Sequence, residues 1–192
     1  MQNPKKLEEL YTAAIKVFGK FGYKKATVED IAAEMGWTKG AIYSYVKSKK
    51  DLYDKAVKSR MRKWLKKAME ALEEQGDIKE KFGELCRKSF LYLSQDVELK
   101  QLLINDPKIF PLTLNEEMSA DKMKGNILYH FKMFFEEGIR QDCFKEYDTT
   151  ILTNLLYSMY KMIILETCAL EEQEAYKTLD LAIELVAKGL YK

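Results

Sequence analysis

Multi-histidine chemistry is excluded at once, because the chain of 192 residues has one histidine, His130. The three cysteines, Cys86, Cys143 and Cys168, are odd in number, far apart and free of any C-x-x-C pairing. That spacing excludes a disulfide framework and a zinc ribbon, and leaves buried, reduced thiols as the expectation. Only three prolines occur, two of them (Pro107 and Pro111) in one bend, and no Pro/Gly/Ser-rich linker separates the parts of the chain. No apolar run approaches the roughly 20 residues that a membrane span needs, and the N-terminus lacks the charged-then-apolar order of a signal peptide. A cytoplasmic protein with no membrane partner is expected. A phosphate-cradling glycine loop is also missing. No cofactor, no metal and no catalytic residue are therefore expected, and the chain is not read as an enzyme.

What is present is apolar residues at helical spacing along nearly the whole length, 47% of the chain being hydrophobic, enough to bury a core in one or two domains. The fold class expected is all-α. Charge is unevenly spread although the net value is only +2: residues 1–67 hold 17 Lys and Arg against 7 Asp and Glu, and the remainder 15 against 23. A domain of about +10 joined to one of about −8 is the pattern of a polyanion-binding module carried by an ordinary acidic globule.

The basic part contains the most informative stretch, Thr27 to Lys49. Thr27 caps a helix, with Asp30 in the place where a capping box has Glu or Gln, and Val28, Ile31, Ala32 and Met35 make its apolar side. Gly36 ends it in the left-handed conformation. Thr38 caps a second helix, expected from about Lys39 to Val46, that keeps Ile42 inward and turns Lys39, Tyr43 and Ser44 outward. The arrangement is a helix-turn-helix. Its second helix suits DNA: the N-terminal amides, the Thr38 hydroxyl and the Lys39 ammonium can meet a phosphate, and Gly40 permits close backbone approach. Ser48 caps a third helix with Lys49 and Lys50 in its first turn, where the helix dipole favours acids unless a phosphate approaches.

These residues resemble the N-terminal pattern of the tetracycline-repressor (TetR) family of bacterial regulators. The pattern appears as Gly22-Tyr23, Thr27-Val28-Glu29-Asp30-Ile31-Ala32, Gly36-Trp37-Thr38-Lys39-Gly40, Ile42-Tyr43-Ser44-Tyr45-Val46 and Ser48-Lys49-Lys50-Asp51-Leu52. The resemblance implies DNA contacts at Thr27, Thr38, Lys39, Tyr43, Ser44 and Lys49; Gly40 and Tyr45 complete the candidate set. Trp37 stands where the family usually has Val, and Tyr45 and Val46 where it usually has His and Phe. The resemblance further implies an N-terminal DNA-binding domain (1–47), a connecting helix (48–75) and a helical effector-binding and dimerisation domain (76–192).

Outside the motif, Asn3 and Pro4 open a first helix that ends at Gly22. Helices are expected at about 48–74, 77–94, 98–105, 116–141, 148–169 and 171–191. The helix at 148–169 is apolar on nearly all sides, which calls for burial on all sides. In the resembled family the last two helices form the homodimer interface, so this pair is expected to do the same. Between them and the connecting helix lies aromatic material from which an apolar cavity is expected, with Phe90, Phe110, His130, Phe131, Phe134, Tyr157 and Tyr160 as candidate ligand residues. The function implied is a dimeric regulator, usually a repressor, that binds a pseudo-palindromic duplex operator and is released by a small lipophilic or aromatic effector. The alternative is a helical carrier or sensor of lipophilic molecules without sequence-specific DNA binding.

Overall fold

Asn3 opens the first helix by accepting the Lys5 and Lys6 amides on its side-chain oxygen, with Pro4 at the first helical position. The computed structural model describes residues 3–73, 76–110 and 127–192, and every regular element among them but one single-residue bridge is helical. The all-α expectation holds. The chain forms two compact units, Met1–Lys63 with Gln95–Ile109, and Trp64–Ser94 with Phe110–Lys192.

The first unit contains α1 (Pro4–Lys25), α2 (Val28–Met35), α3 (Lys39–Tyr43) and the first part of α4 (Lys49–Glu73). It also contains α6 (Val97–Asn105) and one 3-10 turn (Pro107–Ile109). Leu10, Ala14, Phe18, Ile31, Ile42, Leu52 and Ala56 are its solvent-free centre. Gly22 breaks α1 as expected, at φ 72°, but the chain resumes one more turn before Ala26 donates back to the Gly22 carbonyl. The second motif helix is shorter than expected. Ser44 already closes α3, so Tyr45 and Val46 lie beyond it. A five-residue helix containing Gly40 has little intrinsic stability, and its side-chain caps fix its ends instead.

α6 is far in sequence from the rest of this unit but packs on α1. Asp96 accepts the Leu99 amide as its N-cap and lies 2.6 Å from Arg60 Nε of α4, a close ion pair rather than an aligned hydrogen bond. At the other end Asp106 accepts the Tyr53 hydroxyl of α4 at 2.9 Å, and desolvation with this bond pushes the phenol's pKa well up.

The second unit is built from the end of α4, α5 (Ile78–Gln95), α7 (Ile127–Arg140), α8 (Thr149–Ala169) and α9 (Glu172–Leu190). The helix expected at 116–141 is described from Ile127, and its earlier residues lie outside the described set. Phe82, Phe131, Phe135, Phe144, Tyr157 and Tyr160 fill the core. The polar groups buried among them include a closed chain of bonds: Tyr160 donates to Ser89 Oγ (2.8 Å), Ser89 to the Leu85 carbonyl (2.6 Å), and Trp64 Nε1 to the Ser89 carbonyl (3.0 Å). Cys86 and Cys168 are buried, as expected, and burial pushes the Cys86 thiol up to about 12. Cys143 is not buried: it sits half exposed in the turn after α7, where Asp142 takes a positive φ of 58°.

That turn folds Phe144 back onto α7, where its ring is stacked on Tyr191 with centroids 5.5 Å apart. A Cβ on Gly138 would fall 2.0 Å from a Phe144 ring carbon. Since Phe134, Phe135 and Tyr191 hem the ring in, it has no room to yield. Gly138→Ala is expected to destabilise the protein by about 3 kcal/mol through overpacking, read as a lower midpoint in urea unfolding with unchanged slope; a stability within 0.5 kcal/mol of the parent, roughly the range of ordinary surface changes, would show that Phe144 is free to move.

Candidate nucleic-acid interface

The two motif helices are fixed by their caps. Thr27 Oγ1 accepts the Asp30 amide (3.1 Å) while Asp30 Oδ2 accepts the Thr27 amide (2.8 Å), a complete capping box; the Thr27 hydroxyl (2.7 Å) and then that amide, both donating to Asp30 Oδ2, hold the Asp30 carboxyl below its usual range. Gly36 then turns the chain at φ 65°, and Trp37 donates to the Ala32 carbonyl at 2.8 Å, the outer bond of a Schellman closure. Thr38 caps the Ala41 amide at 3.2 Å. Ser48 caps that of Asp51 at 3.1 Å, and Asp51 in turn accepts the Lys47 amide.

Between these fixed ends α3 buries one side chain, Ile42, completely. Thr38, Lys39, Gly40, Tyr43 and Ser44 are exposed, Tyr43 at 42%, and so is Thr27 at the start of α2. Tyr45 and Lys49 are half buried. All eight sequence-predicted residues therefore lie on α3, its two flanks, or the N-terminal ends of α2 and α4.

Three of them have partners that sequence reasoning missed. The Lys39 ammonium is paired with Glu29 of α2 at 2.5 Å; this hydrogen bond raises the lysine pKa and lowers that of the carboxyl. The Lys49 ammonium lies 4.6 Å from the centre of the Tyr23 ring and 3.4 Å from the Lys24 carbonyl. Tyr45 faces Trp37, with ring centroids 5.5 Å apart. Tyr23 was visible in the sequence only as part of Gly22-Tyr23; nothing in spacing pointed to Glu29. Three cations of α4 are paired internally: Lys55 with Asp51, Arg60 with Asp96 and Lys63 with Glu8.

The candidate ligand residues separate. Phe131, Tyr157 and Tyr160 pack against one another in the second unit's core, and burial raises the pKa of both phenols. Phe90 meets Tyr176 edge-on, and Phe110 meets Trp64. Only His130 and Phe134 line a cleft, of about 360 Å3, whose other walls include Met69, Leu72, Ile78, Lys81 and Met133. The division follows from helix faces. Phe131 is fully buried on α7, whereas Phe134 keeps a small exposure, Met133 is exposed and His130 half exposed. Among the described residues no group of His, Cys, Asp and Glu could hold a metal ion, and no helix is long and apolar enough to cross a membrane.

Residues 10–56 match the family described as bacterial regulatory proteins, tetR family. An uncharacterized HTH-type transcriptional regulator of Bacillus subtilis, YhgD, is 28% identical over 159 residues, 80% of each chain. Among solved structures, the fatty acid degradation regulator FadR of Bacillus halodurans superposes with a TM-score of 0.76 at 21% identity, over 97% of this chain and 96% of its own. Bacillus subtilis FadR in complex with stearoyl-CoA gives 0.72 at 23%, over 95% and 98%.

The geometry makes Tyr43 and Lys49 distinguishable. Tyr43→Ala is expected to weaken duplex binding by about tenfold, one base-edge contact. Lys49→Ala is expected to lower the slope of log K against log salt by about one, for one phosphate. Titrations at four salt concentrations measure both, and an unchanged slope removes Lys49 from the phosphate contacts.

Proposed function

Because this chain belongs to the tetR family of bacterial regulatory proteins and is a DNA-binding transcriptional regulator, we propose that it binds a pseudo-palindromic operator as a homodimer, usually to repress, and leaves when a small lipophilic or aromatic effector binds its second unit. The observation that carries the DNA half is α3: five residues of which Ile42 alone is fully buried, with its caps satisfied and Lys39, Tyr43 and Ser44 exposed where a major groove could receive them. Residues 1–47 read the duplex, α4 (Lys49–Glu73) connects them to the rest of the chain, and the second unit binds the effector and dimerises. The protein acts in the cytoplasm and catalyses no reaction.

Dimerisation is supported by an apolar stripe that the single chain leaves open. Ile151 (67%), Leu155 (56%), Met159 and Met162 (64%) are exposed along one face of α8, beside Leu181 and Leu185 (60%) of α9. A groove of about 460 Å3 runs between the two helices, walled by Leu152, Leu156, Val186 and Leu190. Such a patch is the signature of an interface. The two-fold axis of a dimer would set two copies of α3 about 34–36 Å apart, or a multiple of it, the repeat of successive major grooves.

The effector's lipophilic character rests on the apolar half of the walls of the cleft, Met69, Leu72, Ile78, Met133 and Phe134, beside which stand Lys81, His130, Glu137 and Gln141, and is supported by the stearoyl-CoA bound to the Bacillus subtilis FadR. Release works as a population shift. The chain enters α6 from Ser94 and leaves it at Phe110, both in the second unit, whereas α6 itself is tied to α4 by Arg60–Asp96 and Tyr53–Asp106. A rearrangement of the second unit is thereby passed to α4, whose first turn carries Lys49.

Selection from random duplexes at physiological salt is expected to enrich one palindrome; uniform salt-sensitive binding would favour the carrier reading. Leu155→Glu is expected to sediment as a monomer and to lose at least tenfold in operator affinity. An intact dimer would remove α8 from the interface.

A further inference from the structure

The structure holds a ring pair that clasps α3 from both ends. Trp37 precedes the N-cap Thr38, and Tyr45 follows the last residue of the C-terminal closure, Ser44. Eight positions apart, the two rings approach to 5.5 Å between centroids at an interplanar angle of 32°, both side chains half buried. On a continuous helix residues eight apart would be about 12 Å distant along the axis. They meet here because Trp37 lies in the extended turn before α3 and Tyr45 lies past its end.

The need for such a clasp follows from the size of α3. Five residues with a glycine among them cannot maintain a helix on their own. Ile42 is the one fully buried anchor, and the Lys39–Glu29 pair that also ties α3 to α2 is an exposed ion pair, which holds a helix orientation weakly. Thr38 fixes the first turn, and the Ser44 hydroxyl donates to the Ala41 carbonyl at 2.7 Å, but both bonds are internal to the helix and its caps. The Trp37–Tyr45 contact is of a different kind. The Trp37 backbone is fastened to α2 by its bond to the Ala32 carbonyl, so its ring carries the position of α2 across to the far end of α3. Trp37 and Tyr45 are also two of the three positions at which the motif departs from the residues usual in its family, and the two departures touch.

We infer that Trp37 and Tyr45 form a positioning pair, acting on operator recognition through each other by fixing the tilt of α3 on α2, without either supplying the sequence-reading contact. The inference rests on the operator-binding reading given above. A tilt error displaces Lys39, Tyr43 and Ser44 from base edges, which need close geometry, while phosphate attraction over the basic surface tolerates it.

The test is a double-mutant cycle on the full chain with Trp37→Ala, Tyr45→Ala and the double variant, together with Tyr45→Phe, each titrated against the selected palindrome and a random duplex of equal length. Each single alanine variant is expected to lose about three- to tenfold on the palindrome, the range an aromatic pair supports. Neither should change more than about twofold on the random duplex or alter the salt slope, a difference that a merely structural role would not produce. The double variant should lose no more than the worse single, and Tyr45→Phe, which keeps the ring contact, should lose less than Tyr45→Ala. Multiplicative losses in the double variant would overturn the pairing. A Tyr45→Phe loss equal to that of Tyr45→Ala would make the hydroxyl a direct DNA contact and overturn the positioning role. Equal losses on both duplexes, accompanied by a lower unfolding midpoint, would reduce the pair to a folding role and also overturn it. A parent protein that enriches no palindrome would overturn the operator reading itself, which is a separate outcome from any of these.

Discussion

A helix that must show its face to DNA cannot bury that face, and in this protein the constraint falls on five residues. α3 commits Ile42 to the core and leaves Lys39, Tyr43 and Ser44 in solvent, so packing can hold it by only one side chain. Everything around it compensates: a completed capping box on α2, a left-handed turn at Gly36, threonine and serine caps, and the aromatic contact across its ends. Phe18 of α1, Ile31 of α2 and Leu52 of α4 are, like Ile42, fully buried. The first unit is in this sense a mount for one short helix.

The second unit solves the opposite problem. Its aromatic residues are packed edge to face around Phe131, with Ser89 satisfying the indole and the phenol that enter the core. Open space among the described residues includes a cleft lined from α4, α5 and α7 and a groove between α8 and α9, both at its periphery. Rigid centre and open edges suit a module whose ligand and partner must both arrive from outside.

Local chemistry was legible in the sequence wherever a bond closes within three or four residues. Thr27 with Asp30, Thr38 with Ala41, Ser48 with Asp51 and the turn at Gly36 are all as the residues predict, because capping needs only the right side chain at the right offset. The all-round apolar character of α8 was likewise readable, and its exposed stripe is what periodicity demands. Contacts that close over long loops were not legible. Arg60 meets Asp96 over 36 positions and Tyr53 meets Asp106 over 53, so the allegiance of α6 to the first unit left no trace in spacing. The expected length of α3 failed for a related reason: apolar Val46 reads as a helix position but is buried after the helix has ended. Aromatic composition, finally, does not separate a wall from a filling. Phe131, Tyr157 and Tyr160 pack together, and only His130 and Phe134 of the candidate set reach the cleft.

The pairing of Lys39 with Glu29 carries a consequence for how the protein experiences ionic strength. In the same unit Lys16, Lys55 and Lys63 are also paired from within, by Glu34, Asp51 and Glu8. A polyanion that approaches such a surface meets cations already furnished with tethered counter-ions. When a phosphate takes Lys39, what it displaces is a carboxylate that stays attached to α2, and the gain in mixing entropy that accompanies escape of a free ion is absent at that contact. The formal charge of the motif thus overstates its sensitivity to salt, and part of the electrostatic work of binding is a substitution of one anion for another on the same ammonium group.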